Sequence, residues 1–301
     1  MPATVRGSLY INRRSGSGND GTVDRVCAAA EGRGLSCVDI TPDLDISRSI
    51  RERMDRGEKL FVAAGGDGTI NYVIQSLVGT EAVLGVLPIG TFNHFAKDLK
   101  IPLDWSAALD VVVSGATTQV DCARINNRYF LNNISFGLYP EVVAEREKFR
   151  GKGKFTAYRY AIISALKKFK HVSLEVETAH RIQSIRTHVF MVSVNPYDVG
   201  RIGMMAPRET LEGGMLSVYW LPHIARIRLI RLVARYLSGK MELGEDFHSV
   251  RTPELRVRSS HKTLRFGMDG ELVEMAPPFQ IALVPKSVLV KVPQEEQATA
   301  V

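Results

Sequence analysis

The stretch 59–70, KLFVAAGGDGTI, places an acidic side chain within a run of glycines, directly after a short apolar segment. Residues 60–64 predict a buried strand and residues 70–78 a helix, so 65–69 form the turn between them. Glycines let the backbone approach a phosphate closely, and the helix that follows offers free N–H donors and a positive dipole. Asp67 would repel a phosphate, so its presence implies a metal ion or a proton to be accepted. The stretch predicts a nucleotide site with phosphoryl-transfer chemistry.

Two further motifs could contribute to the same chemistry. Residues 88–96, PIGTFNHFA, supply a second glycine turn at the end of the next apolar segment. Far downstream, Asp269-Gly270-Glu271 sets two acids around a glycine. Taken alone, this last motif favours a β-hairpin, because Asp-Gly is a preferred two-residue turn.

A glycine pattern near the N-terminus suggests a different class of enzyme. Residues 16–21 match G-x-G-x-x-G, and Asp39 ends the next predicted strand, near where a ribose-binding acid would lie. In a dinucleotide-binding fold, however, the glycines follow the strand immediately. Here residues 13–15 intervene, which favours a flexible polar loop or a phosphate-gripping loop of another type. A dehydrogenase is therefore the disfavoured alternative, and the absence of a Walker pattern excludes a P-loop enzyme.

The elements that must position these motifs follow two patterns along the chain. Before about Val120, apolar strands alternate with helices, which predicts an α/β domain whose parallel sheet is covered on both faces. Its predicted strands are 8–12, 35–40, 60–64 and 83–88, and its predicted helices are 22–33, 46–56 and 70–78.

After about Val120, apolar and polar residues alternate, which predicts an antiparallel β-rich, sandwich-like domain. Strands are predicted over 128–134, 188–194, 215–221, 263–267, 279–284 and 287–292, with helices over 155–169 and 223–237. The predicted domains are therefore 1–120 and 121–293, with a disordered polar tail over 294–301.

Composition limits the partners and the compartment. The net charge of +7 indicates acidic partners, which could be nucleotides, nucleic acid or an anionic membrane surface. The three cysteines form no metal-like cluster or disulfide framework, and no apolar run has the length of a membrane span or a signal peptide. A cytoplasmic protein is expected, and nothing in the chain resembles a nucleic-acid module.

Together the motifs resemble the catalytic domain of diacylglycerol kinases and related bacterial lipid kinases, with more distant similarity to sphingosine and NAD kinases. The resemblance runs from the Asn12 loop through GGDGT and P-x-G-T-x-N to residues 205–207, residues 211–214 and the D-G-E motif. It implies a two-domain kinase with an interdomain cleft, which uses ATP and Mg²⁺ to phosphorylate a hydroxyl of a diacylglycerol-like lipid. Two alternatives stay open: a relative that binds lipid or nucleotide without catalysis, and a kinase of a soluble substrate such as NAD.

The resemblance also implies roles for individual acids. Glu271 matches the proton acceptor of such kinases, with Asp269 beside it. Asp67 and Asp121 match acids that organise magnesium through water. Phosphoryl transfer requires positioning, neutralisation of charge and one base near the acceptor hydroxyl, which suits these residue types.

Nucleotide-binding and metal-binding positions follow from the same resemblance. The nucleotide site is expected at Asn12, Ser15, Gly16, Thr41, Gly65, Gly66, Asp67, Gly68, Thr69, Ile70, Asn71, Thr91 and Asn93. Lys97, Arg13 and Arg14 could add positive charge. Relatives also hold a structural metal by backbone carbonyls of the loop that matches Thr210, Gly213 and Met215.

Three positions depart from the family pattern. His94 stands where an aspartate is usual, and a neutral imidazole cannot replace a carboxylate in a magnesium–water network. Gly213 stands where many relatives have aspartate, and Arg13 replaces a common proline. These departures are typical of a subfamily.

Two basic stretches, 146–154 and 223–237, interleave cations with apolar residues. For each alone, an amphipathic helix packed on its own sheet is the favoured interpretation. For an enzyme with a lipid substrate, they predict transient peripheral contact with the anionic inner face of the membrane. The oligomeric state is left open, with a homodimer as one option.

Overall fold

The structure is a computed structural model that describes residues 6–13, 21–91, 93–147, 154–168, 171–197, 210–222, 224, 226–237 and 247–294. The chain forms two compact units. Unit 1 contains residues 1–122 and 285–301, and unit 2 contains residues 123–284. Among the described residues, no helix has the length and apolar character needed to cross a membrane.

Unit 1 is an α/β unit, as the alternation of strands and helices predicts. Its strands are β1 (Gly7–Ile11), β2 (Leu35–Asp39), β3 (Leu60–Gly65), β4 (Val83–Pro88), the beginning of β5 (Ala116–Ile125) and the end of β15 (Phe279–Val292). Its helices are α1 (Thr22–Glu31), α2 (Ile46–Asp55), α3 (Asp67–Ile74), α4 (His94–Asp98) and α5 (Trp105–Ser114).

The strands of unit 1 lie in the order β2-β1-β3-β4-β15, and each neighbouring pair is parallel. Every residue of β1 and β3 is buried, which explains why these strands are continuous apolar runs. The chain leaves β1 for β2 on one side and then crosses to β3 on the other. The edge between β1 and β3 is therefore a topological switch point, where open α/β sheets bind ligands.

Unit 2 is dominated by antiparallel strands. Its strands are the end of β5, β6 (Arg128–Phe130), β7 (Asn133–Gly137), β8 (Val172–Thr178), β9 (Arg181–Val194), β10 (Leu216–Pro222), β11 (His248–Thr252), β12 (Glu254–Arg258), β13 (Leu264–Met268), β14 (Glu271–Met275) and the beginning of β15. They pair in the order β14-β13-β7-β9-β8-β12-β15, and β10 joins β9 to β11. The predicted antiparallel domain is confirmed.

Two hydrophobic clusters stabilise unit 2. In the larger, the ring of Phe136 lies 5.0 Å from that of Phe266 and 5.4 Å from that of Phe279, measured between centroids. The smaller cluster is helical. It combines apolar residues of α6 (Leu138–Glu147), α7 (Lys154–Lys168) and α8 (Arg226–Leu237) with Leu221 of β10.

The structure differs from the sequence-based expectation at the C-terminal strand. Residues 287–292, expected in the antiparallel domain, are the end of β15, where Leu289 and Val290 pair in parallel with Val83 and Leu84 of unit 1. Alternating apolar residues identify a strand with one buried face, but they do not specify which sheet it joins or in which direction. The tail residues 295–301 lie outside the described part of the chain.

The single strand expected over 128–134 is also divided. It forms β6 and β7, separated by Leu131 and Asn132. Asparagine is unfavourable in strands, and Asn132-Asn133 marks the interruption in the sequence. This break has a specific role, because it brings three backbone N–H groups to the D-G-E hairpin.

Candidate active site

The predicted nucleotide-binding residues of unit 1 converge at one edge of its sheet. Ile11 pairs with both Asp39 and Ala64, and Gly65 pairs with Pro88, so β1 to β4 all end at this edge. Asn12, which follows β1, donates its backbone N–H to the carbonyl of Ala64 at 3.3 Å. The GGDGT turn, Thr41 and the turn after β4 follow the same strand ends.

The GGDGT turn exposes the first amides of α3. The helix begins at Asp67, and Gly66 is its N-cap residue without a capping side chain. Ile70 donates to the carbonyl of Gly66 at 3.1 Å. The N–H groups of Asp67, Gly68 and Thr69 therefore have no partner within the helix, which is the arrangement that binds anions.

Close packing explains two glycines of this region. A Cβ at Gly65 would lie 2.2 Å from Oγ1 of Thr69, and a Cβ at Gly90 would lie 2.3 Å from Cα of Gly66. Real Cβ atoms do not approach other atoms so closely, so neither position accepts a side chain without movement of the turns. The turns after β3 and β4 thus touch each other through glycine backbone.

Asn93 closes the second turn. Its backbone has a left-handed φ of 51°, and its side-chain amide donates to the carbonyls of Pro88 at 3.0 Å and Gly90 at 3.1 Å. The Oδ1 atom is buried and has no hydrogen-bond partner in the described part of the chain. Because this oxygen can only accept, it suits a ligand hydroxyl or a cation rather than a phosphate oxygen.

Asp67 connects the two turns. Its carboxylate accepts the backbone N–H of His94 at 3.2 Å and that of Phe95 at 3.0 Å, which are the first two amides of α4. Asn93, the N-cap residue of α4, makes no capping hydrogen bond with its own side chain. Asp67 therefore supplies the missing cap from the neighbouring element. It is the backbone of His94, not its side chain, that this contact uses.

The remaining predicted nucleotide-binding positions differ in their exposure to solvent. Thr69, Ile70 and Asn71 are buried within α3, whereas Thr91 and Lys97 are exposed. Ser15, Gly16 and Arg14 lie outside the described residues.

Arg13 is engaged by two carboxylates. Its guanidinium contacts Asp24 at 2.8 Å and Asp39 at 2.9 Å, and these hydrogen bonds, first that to Asp24, raise its pKa above the ordinary value. The charge that Arg13 could offer a phosphate is therefore already compensated by this pair. Asp39, which would bind the ribose if the chain were a dehydrogenase, forms its ion pair with Arg13 instead.

The D-G-E motif of unit 2 is a hairpin that joins β13 to β14. Met268 pairs with Glu271, and the two residues between them, Asp269 and Gly270, have φ values of 47° and 89°. Positive φ at both positions identifies a type I′ turn. The D-G-E motif can therefore be both a β-hairpin turn and a predicted catalytic motif, because the turn itself holds Asp269 and is followed directly by Glu271.

Asp269 anchors this hairpin to the break between β6 and β7. Its carboxylate accepts three backbone N–H groups, from Leu131 at 2.8 Å, Asn132 at 2.8 Å and Asn133 at 3.1 Å. Its own N–H donates to the carbonyl of Asn133 at 3.0 Å, and the residue is only 5% exposed. These contacts give Asp269 a positioning role in the turn.

Glu271 differs from Asp269 in its surroundings. It is the first residue of β14 and is exposed to solvent. A carboxylate held at the end of a rigid hairpin can accept a proton from an alcohol. Its assignment as the base stays a prediction.

The predicted metal-binding residues do not form a cluster of acids. Among the described residues, no group of three or more His, Cys, Asp or Glu side chains could hold a metal ion. Asp121 is buried in β5, and its carboxylate accepts the backbone N–H of Lys286 at 2.8 Å. The carboxylates of Asp121 and Asp67 thus both hold backbone amides, and this donor set fits an ion bound through water better than one bound directly.

The loop before β10 contains the other predicted metal-binding positions. Thr210 accepts the N–H of Glu212 at 3.1 Å through its hydroxyl, and the carbonyl of Met215 accepts the N–H of Asn195 at 3.1 Å. A Cβ at Gly213 would lie 2.7 Å from Oδ1 of Asn195. Asn195, which no motif singled out, thus occupies the space beside Gly213 where an aspartate side chain would begin.

Two family models match the chain. The model for the diacylglycerol kinase catalytic domain matches residues 7–125, and the model for the YegS C-terminal NAD kinase beta sandwich-like domain matches residues 132–292. The first covers the sheet edge with the paired glycine turns, and the second covers the D-G-E hairpin. Between them they include the described elements from β1 to β15 except β6, which lies between the two matched ranges.

Curated relatives carry the name diacylglycerol kinase. That of Bacillus subtilis (strain 168) is 29% identical over 238 residues, which are 77% of this chain and 78% of the relative. That of Staphylococcus aureus (strain JH9) is 36% identical over 137 residues, which are 44% of this chain and 42% of the relative.

Solved structures share the fold. The crystal structure of a diacylglycerol kinase from Bacillus anthracis str. Sterne has a TM-score of 0.68 at 17% identity, and covers 96% of this chain and 97% of that one. Another structure from the same organism reaches a TM-score of 0.73 at 18% identity with the same coverage.

Proposed function

Since this chain belongs to the diacylglycerol kinase catalytic-domain family, we propose that it uses ATP and Mg²⁺ to phosphorylate a diacylglycerol-like lipid. Members of this family transfer phosphate to a hydroxyl group. The observation that supports this proposal most is the contact between the glycine turns after β3 and β4. Beside this contact, the amides of Asp67, Gly68 and Thr69 have no partner within the helix because they form its first turn, and they lie at a topological switch point of the sheet.

The glycine turns suit the phosphates of ATP. The α3 amides are fixed donors, and the bare backbone of Gly66 and Gly90 permits a close approach. Asp67 contributes by holding the α4 end of the second turn, so its carboxylate keeps the two turns in register. Donors that are already in place need no reorganisation during the reaction, which is how rigid sites stabilise developing charge.

Mg²⁺ would be held mainly by the nucleotide phosphates and by water. This ion retains several waters and usually takes only one or two carboxylates from a protein. Asp67 and Asp121 could orient such waters through their carboxylates. When bound, the ion would neutralise charge on the transferred phosphate.

Glu271 is proposed as the base that accepts the proton of the lipid hydroxyl. Glu271 is exposed, whereas the carboxylate of Asp269 accepts three backbone amides. Glu271 is therefore the acid that would react, and Asp269 is the acid that positions the turn. The expected cellular location is the cytoplasm, with transient contact at the inner face of the membrane where the substrate lies.

A substrate panel tests this proposal. Purified protein would be incubated with ATP labelled at the γ-phosphate, Mg²⁺ and mixed micelles of diacylglycerol, monoacylglycerol, ceramide or sphingosine, and with NAD in lipid-free buffer. We expect a labelled phospholipid from at least one lipid, and none when Mg²⁺ is removed with EDTA.

Two results would contradict the proposal. Labelled product from NAD alone would identify a kinase of a soluble substrate. ATP binding without product from any acceptor, also with Mn²⁺, would identify a relative that has lost catalysis.

A further inference from the structure

Helix α8 presents a mixed apolar and cationic face to solvent. Ile227 is 60% exposed and Ile230 is 45% exposed, and Arg228, Arg231 and Arg235 are also exposed. Because the two isoleucines are one turn apart, they form a continuous apolar patch, and such patches on a protein surface mark contact sites.

The opposite face of α8 explains why the helix is held in place. Leu229 and Leu232 are buried in the helical cluster of unit 2 together with Leu221. At about 100° per residue, these leucines project from one side of the helix while Ile227, Ile230 and Arg231 project from the other. The exposed isoleucines therefore project away from the face by which the described leucines of α8 pack on the cluster.

Helix α8 itself carries charge of one sign only. Residues 226–237 contain four arginines and no aspartate or glutamate. Residues 154–168 of α7, which belongs to the same cluster, contain four basic residues and likewise no acid, and Ile163 of that helix is 50% exposed. A helix with cations beside exposed isoleucines has the composition of an interfacial helix on anionic lipid.

Other occupants fit this surface less well. A second copy of the chain placed face to face by a two-fold axis would bring the arginines of α8 against themselves, which is repulsive. A nucleic acid would pair with the arginines but would leave Ile227 and Ile230 against a polar backbone, and such interfaces are typically polar throughout. An anionic bilayer satisfies both kinds of side chain at once.

We infer that the exposed face of α8, defined by Ile227, Ile230 and Arg231, docks the enzyme on anionic membrane, with the isoleucines in the interfacial region and the arginine among lipid headgroups. The inference deepens the proposed function, because it rests on a substrate that lies in a bilayer. It assigns a particular helix to membrane contact, separate from the paired glycine turns and the D-G-E hairpin.

Vesicle flotation without ATP tests this surface independently of catalysis. The full chain would be floated with vesicles of phosphatidylcholine and phosphatidylglycerol, and with vesicles of phosphatidylcholine alone. We expect binding only to the anionic vesicles. The double variant Ile227→Ser/Ile230→Ser should bind at least tenfold more weakly. The variant Arg231→Gln should bind about fivefold more weakly and with a smaller dependence on salt.

Matched controls exist on β9 of the same unit, where Ile182 is 63% exposed and Arg181 is exposed beside it. Ile182→Ser and Arg181→Gln change the same chemistry outside α8 and should float like the wild type. Circular dichroism melting of every variant would confirm that the fold is retained.

Several outcomes would overturn the inference. The α8 variants could float with anionic vesicles as well as the wild type, or the β9 controls could lose as much vesicle binding as the α8 variants. The wild type could also bind equally to both kinds of vesicle. Finally, the α8 variants could lose only a dimer or only nucleic-acid binding. Failure of the kinase assay with intact α8-dependent flotation would reject the proposed function but not this surface.

Discussion

At the scale of single residues, the two acids of the D-G-E motif have different environments. Asp269 is buried and accepts three backbone amides, whereas Glu271 is exposed at the start of β14. A buried donor without an acceptor costs about 1–3 kcal/mol, so the removal of Asp269 should act mainly on stability. The removal of Glu271 should act mainly on the reaction.

The variant Asp269→Ala should lower the free energy of unfolding by roughly 3 kcal/mol or more, because it leaves three buried amides without their acceptor. Asp269→Asn, which keeps one oxygen, should be affected less. Urea unfolding followed by fluorescence measures both. Equal stability of Asp269→Ala and the wild type would contradict the anchoring role.

The variant Glu271→Gln should keep the melting temperature of the wild type and lose roughly 10²- to 10⁴-fold in turnover, because an amide cannot accept the proton. The pair of measurements separates chemistry from folding. A stable Glu271→Gln protein with unchanged turnover would show that another group is the base.

At the scale of elements, the site depends on the contact between the turns after β3 and β4. Gly90 has no room for a methyl group, since its Cβ would lie 2.3 Å from Cα of Gly66. Gly66 is less restricted, because its own Cβ would lie 3.5 Å from Cα of Gly90, which is an ordinary contact distance. The two glycines therefore form a matched pair for mutation.

The variant Gly90→Ala should destabilise the protein by about 2 kcal/mol, because the methyl group forces the turns apart, and it should weaken ATP binding. Gly66→Ala should retain the stability of the wild type. Thermal melting and ATP titration calorimetry measure the two effects. Destabilisation of both variants to the same extent would indicate that packing between the turns is not the cause.

Much of this arrangement was predictable from the sequence. The apolar runs specify parallel strands that end in glycine turns, and strand ends of a parallel sheet share one edge, so the hydrogen bond from Asn12 to Ala64, beside the GGDGT turn, follows from topology. The cap that Asp67 provides to α4 could not be predicted from the sequence. It depends on the distance between two turns that are 27 residues apart along the chain, and local sequence carries no signal of it.

Asp269 illustrates the same limit. Its Asp-Gly turn is predictable from residue preferences, but the amides that it accepts come from residues more than 130 positions earlier. Only the asparagines at 132 and 133 indicate that the strand is interrupted there.

At the scale of the whole molecule, the last strand, β15, contributes residues to both units. β15 begins in unit 2, where Ile281 pairs with Leu255 of β12, and ends in unit 1, where Val290 pairs with Leu84 of β4. Unit 1 is therefore built from two separate segments of the chain. A boundary near residue 120 alone does not describe it.

The variant Val290→Ala should accordingly destabilise unit 1, by about 2 kcal/mol, because Val290 is fully buried in β15. Hydrogen exchange should accelerate in β4, its partner strand. Acceleration confined to unit 2 would contradict the assignment of this strand to unit 1.

Lipid kinase activity can be measured directly as the transfer of labelled γ-phosphate from ATP to diacylglycerol in mixed micelles, followed by mass spectrometry of the lipid product. We expect the wild type to form labelled phosphatidic acid in the presence of Mg²⁺ and the folded Glu271→Gln variant to form almost none. Absence of labelled lipid from the wild type, or equal product from both proteins, would contradict this expectation.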